Sequence, residues 1–535
     1  MAVEAASRRS FWCYGLESEQ PTDQERREFA KSISERWGVN VEPPPIPTLD
    51  SLALREPRIR PSAALESFCT TDKHERAVHT YGSHGMELLR ALHGDFANPP
   101  DIVAHPQNEE DLERVLSWCS AGGYVAIPFG GGSSVVGGVS PQPEHDAVVT
   151  IDLDRLDRVL EIDEISRAAR IQAGVLGPAL EDQLRPHGFT LRHFPQSFTI
   201  SCLGGWIATR SGGHYATNHT HIDDFVESVR MLSPAGWWES RRLPGSGAGP
   251  SPDRLVIGSE GILGIITEAW MRIQARPKYR ATAGVTFPSW QSGYEATRHI
   301  VQAKLWPANL RLLDPEEAQR AGLDGTRALL IIGFESADVP QGEFIRCAVE
   351  IARASSGHIP DDEIKISDGT GEATGQGGAV GAWRNAFINI GGGSLAAGLG
   401  MLGDTFETSI TWDRWPEFDA QVRDAVRAAL QEVCGGGSIS CRFTHVYTDG
   451  PAPYYTFSAR GKQGGELEQW AAIKQAASDA IHAAGGTITH HHSVGRMHRP
   501  QYDGQRPELF ADALRAAKRV LDPNGVLNPG VLIDP

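Results

Sequence analysis

A run of three glycines and two serines directly follows a hydrophobic segment, at Pro128-Phe129-Gly130-Gly131-Gly132-Ser133-Ser134. Glycines let successive backbone N–H groups converge on an anion, and serine hydroxyls add further donors. A phosphate or pyrophosphate would suit this loop, although a flexible surface turn fits the same residues equally well. The spacing excludes two known phosphate motifs. A dinucleotide fingerprint would need glycine at Ser133 or Val135, and Gly461-Lys462 is followed by Gln463, so it is no Walker loop.

The second group of chemically active residues is the histidine triplet His490, His491 and His492, after Thr487-Ile488-Thr489. We predict an extended segment here, in which His490 and His492 share one face and His491 points to the other. That alternation, with no carboxylate within a few residues, predicts that the triplet binds no metal. An exposed histidine run and a set of proton-transfer groups both remain open for these residue types.

Tyr454 stands beside Tyr455 and follows Pro453. Either tyrosine could be a packing residue with a satisfied hydroxyl, and either could act as an acid or base.

The elements around the glycine loop indicate a strand, a helix and a second strand. Residues 101–104 and 124–128 are predicted strands, and Asn108 is a predicted helix cap. The helix after it carries one apolar face, formed by Leu112, Val115, Leu116 and Cys119. Further strands are predicted at 147–151, 158–162, 168–173, 256–257 and 264–266. The fold class is therefore α+β.

The glycine-rich loops stop near residue 277, which predicts three parts: an irregular N-terminal extension (1–95) packing on the core, a first domain (96–276) and a second domain (277–535). The second domain has predicted helices at 415–433 and 466–484 and strands at 329–334 and 439–447. It closes with a helix beginning at Pro507, whose predicted apolar face comprises Leu509, Phe510, Ala513, Leu514, Ala517, Val520 and Leu521.

The composition argues against a nucleic-acid-binding protein. The 535 residues carry a formal net charge of −17, whereas phosphate neutralisation needs a basic surface. The seven cysteines are scattered without CxxC spacing, which favours reduced thiols, and no apolar stretch is long enough to span a bilayer. We therefore expect a soluble, cytoplasmic protein.

Four segments together resemble the FAD-contacting segments of the vanillyl-alcohol-oxidase (PCMH-type) flavoproteins, in the same order and at similar spacing. They are residues 128–138, 195–199, 204–212 and 258–267. The resemblance implies that residues 96–276 form the FAD-binding domain and that residues 277–535 form a separate α+β cap, with the C-terminal segment returning to the FAD domain. The implied FAD contacts are Pro128, Phe129, Gly130, Gly131, Gly132, Ser133, Ser134, Pro195, Gln196, Ser197, Thr199, Ser201, Gly204, Gly205, Ala208, Thr209, Arg210, Ser211, Glu260, Gly261, Gly264 and Ile266.

Within these flavoproteins the chain is most similar to the alkyl-dihydroxyacetonephosphate synthase branch, with matching segments at 310–314, 406–409, 412–414, 441–442 and 490–495. This implies non-covalently bound FAD and replacement of an acyl by an alkyl group without net oxidation. It also implies a small-molecule or lipid substrate, a homodimer and peripheral membrane contact. The implied catalytic residues are Tyr454, His490, His491, His492 and Arg311.

One position departs from that branch. The arginine that binds the substrate phosphate falls on Gly393, and a glycine supplies no guanidinium. Arg384 or a backbone nest at residues 391–393 could replace it. The substrate could equally lack a phosphate, in which case oxidation of an alcohol or a 2-hydroxy acid by FAD is the alternative function.

Overall fold

The computed structural model describes residues 8–215, 221–367, 369–370, 374, 377, 380–381 and 392–534. The strands in this part of the chain are β1 (Cys69–Thr70), β2 (Ile102–Ala104), β3 (Val125–Phe129), β4 (Val148–Asp152), β5 (Val159–Asp163), β6 (Ala168–Gln172), β7 (Phe189–Thr190), β8 (Val226–Ser233), β9 (Gly236–Glu239), β10 (Ile265–Arg272), β11 (Gln274–Ala275), β12 (Tyr279–Phe287), β13 (Asn309–Leu313), β14 (Ala328–Ser336), β15 (Lys365–Ile366), β16 (Met401–Glu407), β17 (Ser438–Val446) and β18 (Pro451–Arg460).

The α-helices are α1 (Asp23–Trp37), α2 (Lys73–Val78), α3 (Gly85–Leu92), α4 (Glu109–Gly122), α5 (Gly177–Leu184), α6 (Leu203–Thr209), α7 (Pro252–Val256), α8 (Trp290–Gln302), α9 (Pro315–Arg320), α10 (Gly342–Ala354), α11 (Gly392–Ala396), α12 (Trp415–Cys434), α13 (Glu466–Ala483), α14 (Arg499–Gln505) and α15 (Glu508–Leu521). Helices and strands alternate in both halves, so the α+β fold class is confirmed.

The first sheet positions the glycine loop. Its order is β1-β2-β4-β3, and β2, β4 and β3 run parallel. Helix α4 connects β2 to β3, with the Asn108 side chain accepting the Asp111 N–H as predicted, and its four predicted apolar residues are buried. The loop follows the carboxyl end of β3, the edge at which ligands bind in parallel sheets.

Two further sheets complete the frame. Strands β5, β6, β10, β8 and β9 form an antiparallel sheet in that order beside the first. The third sheet begins at Tyr279 and has the order β15-β12-β14-β13-β17-β18-β16. The core of the first two sheets and the core of the third form separate clusters of buried residues. The chain then returns to the first core, where Leu527, Val531 and Ile533 are buried.

Three expectations about local structure were wrong. The N-terminal extension is not irregular throughout, because its described part, residues 8–95, contains α1, α2 and α3. Val256 ends the short helix α7 instead of forming a strand. Helix α15 turns a different face inward, since Ala511, Leu514 and Lys518 are buried whereas Leu509 and Val520 are 83% and 71% exposed.

The buried Lys518 explains why helix α15 turns this face inward. Lys518 Nζ donates to Asp522 Oδ2 at 2.5 Å and to the carbonyls of Ile262 and Leu527 at 2.7 Å. A hydrophobicity pattern treats lysine as polar, so it cannot show that lysine lies on the buried face. In the part of the chain that the structure describes, no helix is long and apolar enough to cross a membrane.

Candidate active site

The glycine loop is pressed against the segment Ile200–Cys202. A Cβ on Gly131 would lie 1.5 Å from the Ile200 carbonyl oxygen, and a Cβ on Gly130 would lie 2.2 Å from Cys202 Sγ. Gly132 has a φ of +67°, in the left-handed region that favours glycine. Glycine is therefore required at Gly130 and Gly131 for packing against this segment, and at Gly132 for its backbone conformation.

This loop opens into a cavity of about 470 Å³ that reaches the third sheet. Most of the predicted FAD contacts line it: Pro128, Phe129, Gly130, Gly131, Gly132, Ser133, Ser134, Pro195, Gln196, Ser197, Gly204, Gly205, Ala208, Thr209, Ser211, Glu260, Gly261, Gly264 and Ile266. The same cavity is lined by Arg311, Tyr454, His491 and His492. One space therefore connects the segments predicted for the cofactor with residues predicted for catalysis.

Three residues predicted to contact FAD, namely Thr199, Ser201 and Arg210, lie outside this lining. Ser201 Oγ accepts from Trp206 Nε1 at 2.7 Å, and Arg210 forms an ion pair with Asp223 at 2.8 Å. Thr199 does not line the cavity either. The resemblance assigned whole stretches of residues 195–212 to FAD binding, although single side chains within them contact other protein residues.

Glu260 lines the cavity, but its carboxylate is held by the backbone after the histidine triplet. It accepts from the N–H groups of Val494 and Gly495, both at 2.8 Å. Burial raises the pKa of Glu260 to about 7 despite these two hydrogen bonds. Asn528 Nδ2 donates to the Glu260 carbonyl at 2.9 Å, which anchors the C-terminal segment here. The Glu260 side chain therefore joins the loop before β10 to the segment that carries the histidines.

Neighbouring strands of the third sheet place two arginines and Tyr454 at the other end of the cavity. Arg311 is on β13, Arg442 on β17 and Tyr454 on β18, where Arg442 and Tyr454 are direct cross-strand partners. The Arg442 guanidinium lies 4.1 Å from the centre of the Tyr454 ring. Burial, with repulsion from Arg442, lowers the pKa of Arg311 to about 9. Glu317 pairs with Arg442 at 3.3 Å, so two buried guanidinium groups stand beside one carboxylate, and this end of the cavity is attractive to an anion.

Tyr454 Oη donates to Thr405 Oγ1 at 2.9 Å, and burial raises the pKa of its phenol. The side chain therefore holds its proton at neutral pH and can donate it in a hydrogen bond.

The histidine triplet is not extended as predicted, because it wraps around a carboxylate. Glu407, at the end of β16, accepts the backbone N–H groups of His490 at 2.6 Å, His491 at 3.2 Å and His492 at 2.8 Å. The Thr489 hydroxyl donates to the same carboxylate at 2.6 Å. Burial opposes the charge on Glu407, but the neighbouring imidazoles and this hydroxyl hold its pKa well below its usual range.

Because the segment bends, the rings do not alternate between two faces. Burial lowers the pKa of both His491 and His492 to about 4, so both imidazoles are neutral at pH 7. A neutral imidazole has one donor and one acceptor nitrogen, which suits it to proton transfer. Ring nitrogens of His445, His490 and His491 lie within 4.8 Å of one another, so the predicted separation of the rings was wrong.

Several cavity residues escaped the sequence analysis, among them Asp404, His445 and Lys474, and Arg442 had appeared only within the matching segment 441–442. Lys474 Nζ donates to Asp404 Oδ2 at 2.9 Å, which places an ion pair on the cavity wall. Glu407 had been noted only as part of a similar segment. It stands far from the histidines in sequence, so no spacing could connect them. Of the two residues predicted to bind substrate, Gly393 is in α11 and Arg384 lies outside the described residues.

Comparisons with known proteins agree with this geometry. Residues 100–240 match the family described as FAD binding domain, and residues 276–532 match that described as FAD linked oxidases, C-terminal domain. The alkyldihydroxyacetonephosphate synthase of Dictyostelium discoideum is 30% identical over 492 residues, which cover 86% of this chain and 78% of the relative. The chain belongs to the alkyldihydroxyacetonephosphate synthase family. It is therefore an FAD-dependent enzyme, as predicted.

Further relatives and solved structures are also similar to this chain over most of its length. The synthase of Caenorhabditis elegans is 30% identical over 483 residues, covering 86% of this chain and 80% of the relative. The glycolate oxidase subunit GlcD of Bacillus subtilis is 26% identical, covering 86% and 96%. A solved alkyldihydroxyacetonephosphate synthase structure superposes with a TM-score of 0.74 at 28% identity, covering 91% of this chain and 87% of that one. p-Cresol methylhydroxylase shares the fold, with a TM-score of 0.66 at 15% identity and coverage of 88% and 94%. The predicted PCMH-type fold is thus confirmed.

Proposed function

We propose that this enzyme replaces the acyl group of an acyl ester of dihydroxyacetone phosphate by a long-chain alcohol, giving an ether lipid precursor. One observation carries the proposal. The glycine loop and the other segments predicted to bind FAD line the same cavity as Arg311, Arg442, Tyr454, His491 and His492. The comparisons support the proposal, because the similarity to an alkyldihydroxyacetonephosphate synthase covers 86% of the chain.

The residues fit FAD, because three consecutive glycines and the hydroxyl-bearing Ser133 and Ser134 line the cavity. We propose that the loop holds the pyrophosphate and that residues 195–211 and 260–266 surround the rest of the cofactor, without a covalent bond. When bound, FAD supplies the reactive isoalloxazine ring, and the exchange involves no net oxidation.

Arg311 and Arg442 are proposed to bind and orient the anionic part of the substrate. Among the described residues, the lysine and arginine side chains lining the cavity are Arg311, Arg442 and Lys474. Lys474 is paired with Asp404 and Arg442 with Glu317, so both of these charges are partly offset, and we propose that Arg311 and Arg442 together attract the anion. They offset the absence of a guanidinium at Gly393, and Arg384 is proposed as an additional contact.

Tyr454 and the two cavity histidines are proposed to handle protons. Tyr454 keeps its proton and can donate a hydrogen bond to a leaving carboxylate, whereas neutral His491 or His492 can accept the proton of the incoming alcohol. His490 does not line the cavity, so its predicted catalytic role would have to act through His491.

The alternative is oxidation of an alcohol or a 2-hydroxy acid, which Gly393 and the similarity to GlcD favour. One experiment separates the two: FAD-loaded protein is incubated with acyl-dihydroxyacetone phosphate and deuterated hexadecanol, and products are identified by mass spectrometry. A deuterated alkyl product with free fatty acid supports the exchange. No exchange, together with oxygen- or dye-dependent turnover of a hydroxy acid, would establish the alternative.

Finer features of the protein are also proposals. The acidic composition and scattered cysteines support a cytoplasmic location, and the family resemblance supports a homodimer that makes peripheral contact with membranes to reach lipid substrates.

A further inference from the structure

A row of polar side chains leads away from the cavity behind His491. His491 Nδ1 lies 3.0 Å from His490 Nδ1, and His490 Nε2 lies 2.5 Å from Tyr447 Oη. Tyr447 Oη in turn lies 3.2 Å from His221 Nε2, and that nitrogen also lies 3.1 Å from His490 Nε2, so His221 is reached from His490 both through Tyr447 and directly. His491 lines the cavity, whereas His490, Tyr447 and His221 do not. The row therefore starts at the candidate active site and leaves it, over consecutive hydrogen-bonding distances.

The protons in this row can all point the same way. Burial lowers the pKa of His221 and of His491 to about 4 and that of His490 well below its usual value, so each imidazole carries one N–H at pH 7. If Tyr447 donates to His490 Nε2, His490 holds its proton on Nδ1 and donates it to His491 Nδ1. His491 then carries its proton on Nε2, the nitrogen left for a molecule in the cavity. If every hydrogen bond runs in the opposite direction, His491 Nε2 carries a lone pair instead of a proton.

The outer end of the row is close to solvent. His221 is partly exposed and precedes the turn Ile222–Asp224, in which Asp224 is exposed. Asp223 in the same turn is paired with Arg210, whose side chain is 53% exposed. Burial lowers the pKa of His221 most, Arg210 and His491 lower it further, and Asp223 and Asp224 raise it.

We propose that His490, Tyr447 and His221 form a proton relay between His491 and the protein surface; the role of His491 in this statement rests on the proposed function. A proton accepted by His491 Nε2 releases the Nδ1 proton to His490 Nδ1. His490 passes its Nε2 proton to the Tyr447 oxygen, and the Tyr447 proton moves to His221 Nε2. His221 loses its Nδ1 proton to water, so one proton enters and one leaves. The opposite sequence delivers a proton to the cavity.

A metal ion is the competing explanation for these rings. His445 flanks the row, and one of its ring nitrogens lies within 4.8 Å of one ring nitrogen of His490 and one of His491. Its own contacts are to Thr444 Oγ1 at 3.1 Å and the Gly213 carbonyl at 3.2 Å, so it branches off the row. A bound cation would occupy the lone pairs that a relay needs.

The test compares His221→Ala and Tyr447→Phe with Tyr81→Phe, which removes a tyrosine hydroxyl donating to the Asp95 carbonyl at 2.8 Å elsewhere in the protein. His221→Ala, which removes the outer group of both routes, should lower kcat roughly 10- to 100-fold, and Tyr447→Phe, which leaves the direct His490–His221 contact, should lower it less, with KM and FAD content unchanged in both. Imidazole added to the buffer should restore the rate of His221→Ala but not of Tyr447→Phe. The control should keep the wild-type rate.

Wild-type kcat in both relay variants, or failure of imidazole to restore His221→Ala, would overturn the relay. So would one equivalent of a divalent metal in purified protein that is lost in His490→Ala. If the wild-type enzyme performs no acyl exchange, the proposed function fails. The hydrogen-bonded row is then tested separately by ¹⁵N-histidine NMR. In Tyr447→Phe the ring-nitrogen shifts of His490 and His491 should change, and unchanged shifts would refute the row itself.

Discussion

Replacing Glu407 by Gln should loosen the histidine segment. The carboxylate accepts the N–H groups of His490, His491 and His492 and the Thr489 hydroxyl. The glutamine amide can place its oxygen where Thr489 and His492 donate, but its NH₂ group then faces the His490 N–H. One buried donor loses its partner and the remaining bonds lose their charge, which together cost roughly 3 kcal/mol.

Hydrogen–deuterium exchange measures this cost locally. Since about 1.4 kcal/mol corresponds to a factor of ten, amides in the peptide containing His490–His492 should exchange roughly 100-fold faster in Glu407→Gln. Glu432→Gln, which changes an exposed glutamate on α12, should leave that peptide unchanged. Wild-type protection in Glu407→Gln would refute the role of the carboxylate in shaping the segment.

Three further predictions concern the loop, the imidazoles and the phenol. Gly131→Ala should weaken FAD binding roughly 10- to 100-fold, because its Cβ collides with the Ile200 carbonyl and overpacking costs about 1–3 kcal/mol; FAD content of the purified protein reports it. The free energy of unfolding should fall as pH drops from 6.5 to 4. Histidines bind protons in this range in the unfolded chain, whereas His491 and His492 stay neutral in the folded protein because their pKa values are about 4. Urea titrations at several pH values measure this change. Tyr454→Phe should lower kcat roughly 100-fold with normal FAD content, because the proton-donating hydroxyl is lost.

Matched variants keep these predictions open to refutation. Gly403→Ala places its Cβ 3.8 Å from the Phe457 carbonyl oxygen and should bind FAD normally, so equal FAD loss in both alanine variants would contradict the loop argument. His492→Gln should reduce the pH dependence while the exposed His187→Gln should not, and a flat pH profile in wild type would contradict burial of neutral imidazoles. Retention of full kcat in Tyr454→Phe would remove the phenol from the proton chemistry.

The sequence predicted those parts of the fold that depend on neighbouring residues. Helix α4 was predictable because its cap and apolar face are local, and β3 because a hydrophobic run ends at the glycines. The FAD segments were found by resemblance, since three glycines alone do not distinguish a phosphate site from a turn.

The rest depends on contacts between distant residues. The bend of the histidine segment follows from Glu407, and the orientation of α15 follows from a lysine neutralised by Asp522 and backbone carbonyls. Arg442 joined the site because β17 pairs with β18, a register that only the folded sheet shows.

The most direct test of the central claim is the visible spectrum of the FAD-loaded enzyme mixed anaerobically with acyl-dihydroxyacetone phosphate. If the cavity places substrate against the flavin for exchange, the flavin absorbance should change on mixing. Addition of a long-chain alcohol under nitrogen should then restore it, with release of the ether product. An unchanged spectrum, or one restored only by oxygen, would contradict the account.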